Sequence, residues 1–329
     1  MHTVCGLRRV IRGLAFLAAT TACALTTARA ADPTYPDRVV RFIVPFNAGG
    51  TTDVMARKLT EALAARLKQT VIIENKPGAG GTIGAVAALA PPNDGYTVLF
   101  TSTAIVQAPL LLKNPPYDPM RDFTPVAMVC ISPVVMGVPS VLGTKTLTQF
   151  LDWARAHKGE VSYASSGPGT TSHITSEELK RRAGIEATNV PYTGDSRSSI
   201  DLIANRVQFY LTTPAGLAPL AEQGKLDLLA VTGKQRLPFL PDVPTFKEQG
   251  LDGFETVGWF GVFISSQAPE EAVQKLRREI TRIVTGEDYV KFLAGIKMVA
   301  PNSEPFAPQV LQTQAAWGRM IKHNNITVP

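Results

Sequence analysis

The stretch PFNAGGTTD, residues 45–53, places two glycines, two threonines and an acid between two different flanks. The preceding RVVRFIV has the β-branched and aromatic composition of a strand, and the following VMARKLTEALAARL places apolar residues on one stripe of a helix. A strand that passes into a helix in this way is the unit of an α/β fold. The stretch itself is either an ordinary helix cap or a cradle of backbone N–H groups for an anion.

The rest of the chain repeats the alternation of strands and helices. Strands are predicted at 38–46, 70–75, 96–102, 161–166, 187–192, 207–213, 226–233 and 256–265. Helices are predicted at 53–67, 82–90, 147–159, 174–184, 198–206, 216–224, 269–285 and 307–324. This spacing predicts βαβ units and mostly parallel sheets. Because the pattern occurs twice, we predict two α/β domains, 31–130 plus 256–329 and 131–255, with a cleft between them and two chain crossings.

The first 30 residues have the composition of a secretory signal peptide. Three arginines form a basic region, an apolar run of small residues follows, and ARA (28–30) has small residues at both ends. We therefore predict export to the periplasm, with cleavage between Ala30 and Ala31. A lipoprotein anchor at Cys23 is the alternative, although the preceding TTA lacks the leucine that is usual at such sites.

Without this segment the charge of the chain is nearly balanced. The first 30 residues contain four arginines and no acid, so residues 31–329 carry 29 Lys and Arg against 27 Asp and Glu, a net charge of +2. No run of basic residues interleaved with aromatic ones remains, which argues against nucleic acid as a partner. Cys130 is then the one cysteine left, so we predict neither a disulfide framework nor a zinc site.

Two further glycine-rich segments follow predicted strands and precede predicted helices. They are PGAGGTIG (77–84) and SSGPGTTSH (165–173). A helix N-terminus carries unpaired N–H groups and about half a positive charge, so each segment is suited to a carboxylate or a phosphate. Ordinary capping explains any one of them equally well. The glycine spacing in 77–84 does not match G-x-G-x-x-G, and no P-loop lysine follows any of the three segments, which argues against a nucleotide.

Signals of catalysis are weak. Residues 31–329 contain three histidines, His157, His173 and His323, and none lies in a cluster with metal-ligand spacing. Ser172 and His173 are adjacent, which raises a secreted hydrolase as an alternative, but no G-x-S-x-G elbow surrounds the serine. We therefore predict a binding protein rather than an enzyme, with neither metal nor cofactor.

Several long segments together resemble the Bug/TctC family, the periplasmic solute-binding receptors of tripartite tricarboxylate transporters. They include YPDRVVRFIVPFNAGGTTDVMARKL, VIIENKPGAGGTIGA, YASSGPGTTSHI and LPDVPTFKEQGLDGFE, and they occur in order over about residues 35–325. The resemblance implies a two-lobed periplasmic binding protein of the Venus-flytrap type, with two α/β domains joined by two crossing strands. It also implies a small organic acid in the cleft and membrane permease subunits as partners. Ligands of the family include citrate, other dicarboxylates, acidic amino acids and aromatic acids, of which a di- or tricarboxylate or an aromatic acid is expected here. We expect a monomer.

In this family, backbone amides of loops typically hold one carboxylate of the ligand. Carried over to this chain, the resemblance implies ligand contacts from Phe46, Asn47, Ala48, Gly49, Gly50, Thr51, Thr52, Ser165, Ser166, Gly169, Thr170, Thr171, Ser172, His173, Tyr192, Thr193 and Thr212. We expect Asp53 to accept N–H groups near its own helix rather than to contact the ligand, because an unpaired buried carboxylate beside a carboxylate ligand is costly.

The chain departs from the usual family pattern at the predicted cleft. Asn47 stands where a proline is usual and adds a donor, and Thr193 stands where a lysine is usual. Thr212 and Thr213 stand where many members have Asp-Asn. Since an aspartate would suit a ligand ammonium group, its absence predicts a mono- or dicarboxylate rather than an amino acid. A sensor that passes the ligand signal to a histidine kinase is the alternative to a transport receptor.

Overall fold

A computed structural model describes residues 35–302, 304–323 and 325–326, and the main compact unit of the chain begins at Arg38. The predicted signal peptide, its cleavage site and the alternative anchor at Cys23 lie outside the described residues. The strands of the described part are β1 (Val40–Val44), β2 (Val71–Asn75), β3 (Thr97–Ser102), β4 (Phe123–Ser132), β5 (Val135–Pro139), β6 (Ser162–Ser165), β7 (Thr188–Pro191), β8 (Phe209–Thr212), β9 (Leu226–Val231) and β10 (Gly258–Ser265). Its helices are α1 (Thr51–Leu67), α2 (Thr82–Ala88), α3 (Ala104–Gln107), α4 (Leu147–Ala156), α5 (Thr171–Ala183), α6 (Asp195–Ile203), α7 (Pro214–Glu222), α8 (Glu270–Val284), α9 (Glu287–Gly295) and α10 (Phe306–His323).

The strands form two five-stranded sheets of the same topology. The first sheet has the order β2-β1-β3-β10-β4, and the second has the order β7-β6-β8-β5-β9. In each sheet four strands run in the same direction, and one strand that has just crossed from the other lobe, β10 or β5, runs antiparallel to its two neighbours. The prediction of two α/β lobes is confirmed. The sheets are mixed rather than mostly parallel because of these two returning strands.

The chain passes between the two sheets at two places. β5 follows β4 after only Pro133 and Val134, and the return from β9 to β10 runs through residues 232–257. The two crossings are hydrogen-bonded to each other. The Val134 N–H donates to Thr232 Oγ1 at 2.8 Å, and the Thr232 N–H donates to the Val134 carbonyl oxygen at 2.8 Å. The crossings therefore form one paired connection between the lobes.

The C-terminal helix α10 packs against both lobes. Phe306 lies in the core of the first lobe, with its ring 5.4 Å from that of Phe263. Further along the same helix, Trp317 and Ile321 pack against Ile174 of α5 in the second lobe. No helix in the described part of the chain combines the length and the apolar character needed to cross a bilayer.

Several elements depart from the sequence prediction. The strand β4 begins at Phe123, inside a proline-rich stretch, and it contains Pro125 because an edge strand tolerates a residue without an N–H. The helices α1, α5 and α6 begin earlier than predicted, at Thr51, Thr171 and Asp195. Thr51, Thr52, Thr171 and Ser172 of the predicted loops are therefore first-turn helix residues.

Candidate functional site

A cavity of about 60 Å³ lies between the two lobes. It is found at the carboxyl ends of the parallel strands, which is where open α/β sheets bind their ligands. The residues that line it are Phe46, Asn47, Gly50, Thr51, Thr52, Ser102, Thr103, Ser132, Val134, Ser166, Thr170, Thr171, Ser172, Gly194, Asp195, Thr212, Thr213 and Phe260.

Five helices begin at this cavity. The N-cap residues of α1, α3, α5, α6 and α7 all line it, and no N-cap side chain among them caps its own helix; they are Gly50, Thr103, Thr170, Gly194 and Thr213. The topology causes this convergence, because these helices follow β1, β3, β6, β7 and β8, and the carboxyl ends of those strands face the cleft. In the four longer helices the first-turn N–H groups have no partner within the helix, and they carry the positive end of its dipole. In the single-turn α3 the Ala104 N–H donates to Ser102 Oγ at 3.3 Å instead. The cavity is therefore surrounded by positive helix ends.

Asp53 fixes the loop that precedes α1. Its carboxylate accepts the Gly49 N–H at 2.9 Å, the Asn75 side-chain amide at 2.9 Å and the Arg57 Nε–H at 2.8 Å. The side chain is only 2% exposed. Burial alone raises the pKa of this carboxyl, but the hydrogen bonds from Arg57, Gly49 and Asn75 outweigh it and leave the pKa below its usual value. The expectation that Asp53 serves its own loop is confirmed.

The loop that precedes α5 is held by its own side chains in a similar way. The Ser166 N–H donates to Ser172 Oγ at 2.9 Å, and the Gly169 N–H donates to His173 Nδ1 at 3.3 Å. Burial lowers the pKa of His173, which favours the neutral ring that this acceptor role requires. Ser172 and His173 therefore satisfy separate loop N–H groups. This arrangement gives no support to a hydrolase that uses them as a catalytic pair.

The two glycine-rich loops are equivalent parts of the two lobes. One joins β1 to α1 in the middle of the first sheet, and the other joins β6 to α5 at the matching place in the second. In both, a side chain in the third position of the helix accepts the N–H of a glycine four residues earlier: Asp53 accepts from Gly49, and His173 accepts from Gly169. Both glycines have positive φ, +79° and +77° respectively, which favours glycine at these turns.

Direct hydrogen bonds cross the cleft and hold the lobes together. The Asn47 side-chain amide donates to Thr193 Oγ1 at 2.5 Å. The hydroxyl oxygens of Thr103 and Thr171 are 2.9 Å apart, and the buried Gln107 donates to Thr171 Oγ1 at 3.1 Å. The structure is therefore a closed form.

The structure brings only part of the predicted site to the cavity. The predicted residues that line it are Phe46, Asn47, Gly50, Thr51, Thr52, Ser166, Thr170, Thr171, Ser172 and Thr212. The predicted residues that lie outside its lining are Ala48, Gly49, Ser165, Gly169, His173, Tyr192 and Thr193.

The residues outside the lining have other roles in the fold. Ser165 is fully buried in β6. Tyr192 donates its hydroxyl to Asp201 at 2.7 Å, so its ring is held away from the cavity lining. Gly169 packs where a Cβ would come within 2.8 Å of Ala108 Cα across the cleft. Sequence spacing alone did not separate these supporting residues from those that face the cavity.

Several cavity residues were missed from the sequence. Ser102 and Thr103 lie at the carboxyl end of β3, where the topology rule for parallel strands points to them. Asp195 directly follows the predicted segment VPYTG and begins α6. Its Oδ1 accepts the Thr212 hydroxyl at 3.1 Å. Although no aspartate stands at 212 or 213, this part of the cavity has a carboxylate, because α6 supplies Asp195 from a different part of the chain.

Comparisons with known proteins agree with the fold. The sequence model for the tripartite tricarboxylate transporter family receptor matches residues 55–326. The UPF0065 protein in the tcbD-tcbE intergenic region of Pseudomonas sp. strain P51 is 35% identical over 319 residues, which are 96% of this chain and 94% of that protein.

Two solved structures are similar over most of the chain. The R. palustris protein Rpa4515 with adipate has a TM-score of 0.85 and 32% identity, over 89% of this chain and 99% of that one. The periplasmic binding protein BugD also has a TM-score of 0.85, with 30% identity over 89% of this chain and 99% of its own. The resemblance inferred from the sequence is confirmed. The chain belongs to the tripartite tricarboxylate transporter receptor family, whose members have this two-lobed binding-protein fold.

Proposed function

We propose that this protein is a periplasmic receptor that binds a small organic carboxylate between its two lobes. The observation that carries the proposal is the convergence on one cavity of the N-termini of four helices of nine or more residues, α1, α5, α6 and α7, each without a cap from its N-cap side chain. Such termini bind carboxylates through N–H donors and the helix dipole. The described lining includes no Lys, Arg or His. Backbone and hydroxyl donors therefore hold the ligand carboxylate.

Closure of the lobes completes the site. The lining comes from α1 and α3 in one lobe and from α5, α6 and α7 in the other, so the ligand gains its full set of donors only when the lobes meet. A ligand that binds the closed state more tightly shifts the population toward it. We assign residues 31–130 plus 256–329 to one lobe and 131–255 to the other, which is supported by the two separate sheets.

The proposed role ends with transfer of the ligand to membrane permease subunits after export by the N-terminal signal peptide. Membership of a transporter receptor family and similarity to a periplasmic binding protein support this role. A charge-assisted hydrogen bond to a carboxylate contributes about 1.5–3 kcal/mol. A few such bonds are enough for micromolar affinity, about −8 kcal/mol.

The test is isothermal titration of protein purified from the periplasm, with carboxylates and their neutral primary amides as paired ligands. We expect micromolar binding of at least one carboxylate and binding at least about tenfold weaker for its amide, because helix N-termini favour an anion. Chromatography of the ligand after incubation should recover it unchanged, as a receptor without catalysis requires. Equal affinity for acid and amide would contradict the proposal.

A matched pair of variants tests the backbone donors directly. Thr51 is the first residue of α1, where proline is well tolerated, and Gly50 has φ −80° and ψ 170°, which suits a residue before proline. Thr51→Pro therefore removes one N–H from the cavity without breaking the helix, whereas Thr51→Ala keeps the N–H and removes only the hydroxyl. We expect Thr51→Pro to bind about tenfold more weakly than Thr51→Ala. Equal dissociation constants would show that this helix end does not hold the ligand.

A further inference from the structure

Asp195 is the one charged residue among the described residues that line the cavity. No Lys, Arg or His of the described residues forms an ion pair with it. The proposed carboxylate receptor thus has a carboxylate side chain in its own cavity wall, stabilised by the N-terminus of α6 and not by a basic side chain. A fixed negative charge beside an anionic ligand is unfavourable unless the ligand brings a positive charge.

The surrounding hydroxyl groups hold Asp195 in place but leave part of it unused. The hydroxyls of Tyr210 at 2.5 Å and Thr212 at 3.1 Å donate to Oδ1. The Ser166 hydroxyl oxygen lies 2.6 Å from the Tyr210 oxygen and 3.2 Å from Oδ1. Within the described residues no hydrogen bond reaches Oδ2. An ionised carboxylate has about four acceptor positions, so Asp195 keeps capacity for a further donor.

The position of Asp195 suits contact with a ligand. Together with Gly50 and Thr51, it lines both the cavity and a neighbouring, more open pocket of about 440 Å³. It also lies at the start of α6, opposite the N-terminus of α1 across the cleft. A ligand whose carboxylate lies at the helix ends therefore has a single negative side chain within reach of its other groups.

We propose that Asp195 is the specificity-determining residue of this cavity and selects carboxylates that also carry an ammonium group over the same acids without one. The inference rests on the proposed carboxylate-binding function. The positive helix ends attract the ligand carboxylate, and Asp195 attracts the ammonium group. A dicarboxylate without an amine gains from the helix ends but is repelled by Asp195, because no cationic side chain of the described lining offsets the added charge.

The test compares ligands that differ in one substituent. Calorimetry with the purified protein uses three sets, each made of an amino acid, its hydroxy acid and its unsubstituted acid: alanine, lactate and propionate; aspartate, malate and succinate; leucine, 2-hydroxy-4-methylpentanoate and 4-methylpentanoate. We expect the amino acid to bind at least tenfold more tightly than both other members of its set. The hydroxy acid separates charge from hydrogen bonding, since it offers Asp195 a neutral donor.

Asp195→Asn removes the charge and keeps an amide oxygen for the neighbouring hydroxyl donors. We expect this variant to bind the amino acid and its unsubstituted acid with about equal affinity. Its affinity for the unsubstituted acid should equal or exceed that of the unaltered protein. Asp201→Asn, on the same helix but outside the cavity lining, should keep the preference.

The failures of the two proposals are distinguishable. If an unsubstituted or hydroxy acid binds as tightly as its amino acid, or if Asp195→Asn leaves the ratio unchanged, the role of Asp195 is overturned while carboxylate binding stands. If no acid binds but the neutral amides do, both the proposed carboxylate binding and the proposed role of Asp195 are contradicted.

Discussion

The side-chain amide of Asn47 donates to the hydroxyl oxygen of Thr193 at 2.5 Å, across the cleft between the two lobes. The Asn47 N–H also approaches the Thr193 carbonyl oxygen, at 3.4 Å. Asn47 and Thr193 are two of the positions at which the sequence resemblance implies a departure from the usual family pattern, which has proline and lysine there. The structure shows that these two residues contact each other, so we infer that their hydrogen bond stabilises the closed form.

Loss of the Asn47–Thr193 hydrogen bond should weaken ligand binding indirectly. A neutral hydrogen bond contributes about 0.5–1.5 kcal/mol, so Asn47→Ala should raise the dissociation constant by about two- to tenfold as the closed population falls. Thr193→Val should act in the same direction. Because both remove one interaction, the double variant should be little worse than either single one in a double-mutant cycle. Additive effects would show that the two residues act separately.

Gly80 allows the lobes to close. A Cβ on Gly80 would lie 2.0 Å from the Pro168 carbonyl oxygen of the other lobe, and its φ is +63°. Gly80→Ala should therefore hold the cleft open, weaken ligand binding at least about tenfold and increase the radius of gyration in small-angle scattering with saturating ligand. Gly143→Ala is the matched control, because Gly143 has φ +69° and nothing within 4 Å of an added Cβ. Equal losses in both variants would point to backbone strain instead of closure.

Asp53 should make stability depend on acid pH. Its folded pKa lies below the unfolded value of about 3.9, so the unfolded chain binds the proton first as pH falls. Its contribution to the free energy of unfolding is complete above about pH 4 and is lost as pH falls toward the folded pKa. Asp53→Asn should cost about 2 kcal/mol at pH 7, because it weakens charge-assisted bonds at a buried site. Urea denaturation between pH 3 and 7 should show a smaller slope for the variant below pH 4; an unchanged slope would contradict the assignment.

His173 should contribute in a different pH window. Burial lowers its pKa below the usual value of about 6.5, so protonation favours the unfolded chain as pH falls. The free energy of unfolding should therefore decrease below about pH 6.5. His173→Asn keeps an acceptor near the Gly169 N–H and removes the titration, so its stability should change less between pH 6.5 and 5. Asp53→Asn serves as the control, since it should retain the wild-type slope in this window.

Local sequence patterns predicted the elements well because hydrophobic periodicity and Gly/Thr helix starts depend on nearby residues alone. The strand before NAGGTTD and the helix after it were found at Val40–Val44 and Thr51–Leu67. The similarity of this loop to SSGPGTTSH was visible in the sequence, but the matching hydrogen bonds that fix the two loops were not. One loop is fixed by the charged Asp53 and the other by the neutral His173, which share a hydrogen-bonding role but not a residue type.

The sequence by itself determined the α/β lobes, the glycine loops at helix starts and the family, since each depends on short-range pattern or long matching segments. The tertiary structure decided which residues share the cavity, because that depends on five helices converging from distant parts of the chain. Asp195 lies beside Thr212, and Asn47 beside Thr193, through sheet topology and lobe closure. Spacing along the chain does not reveal such contacts, because they form only when the carboxyl ends of two separate sheets meet.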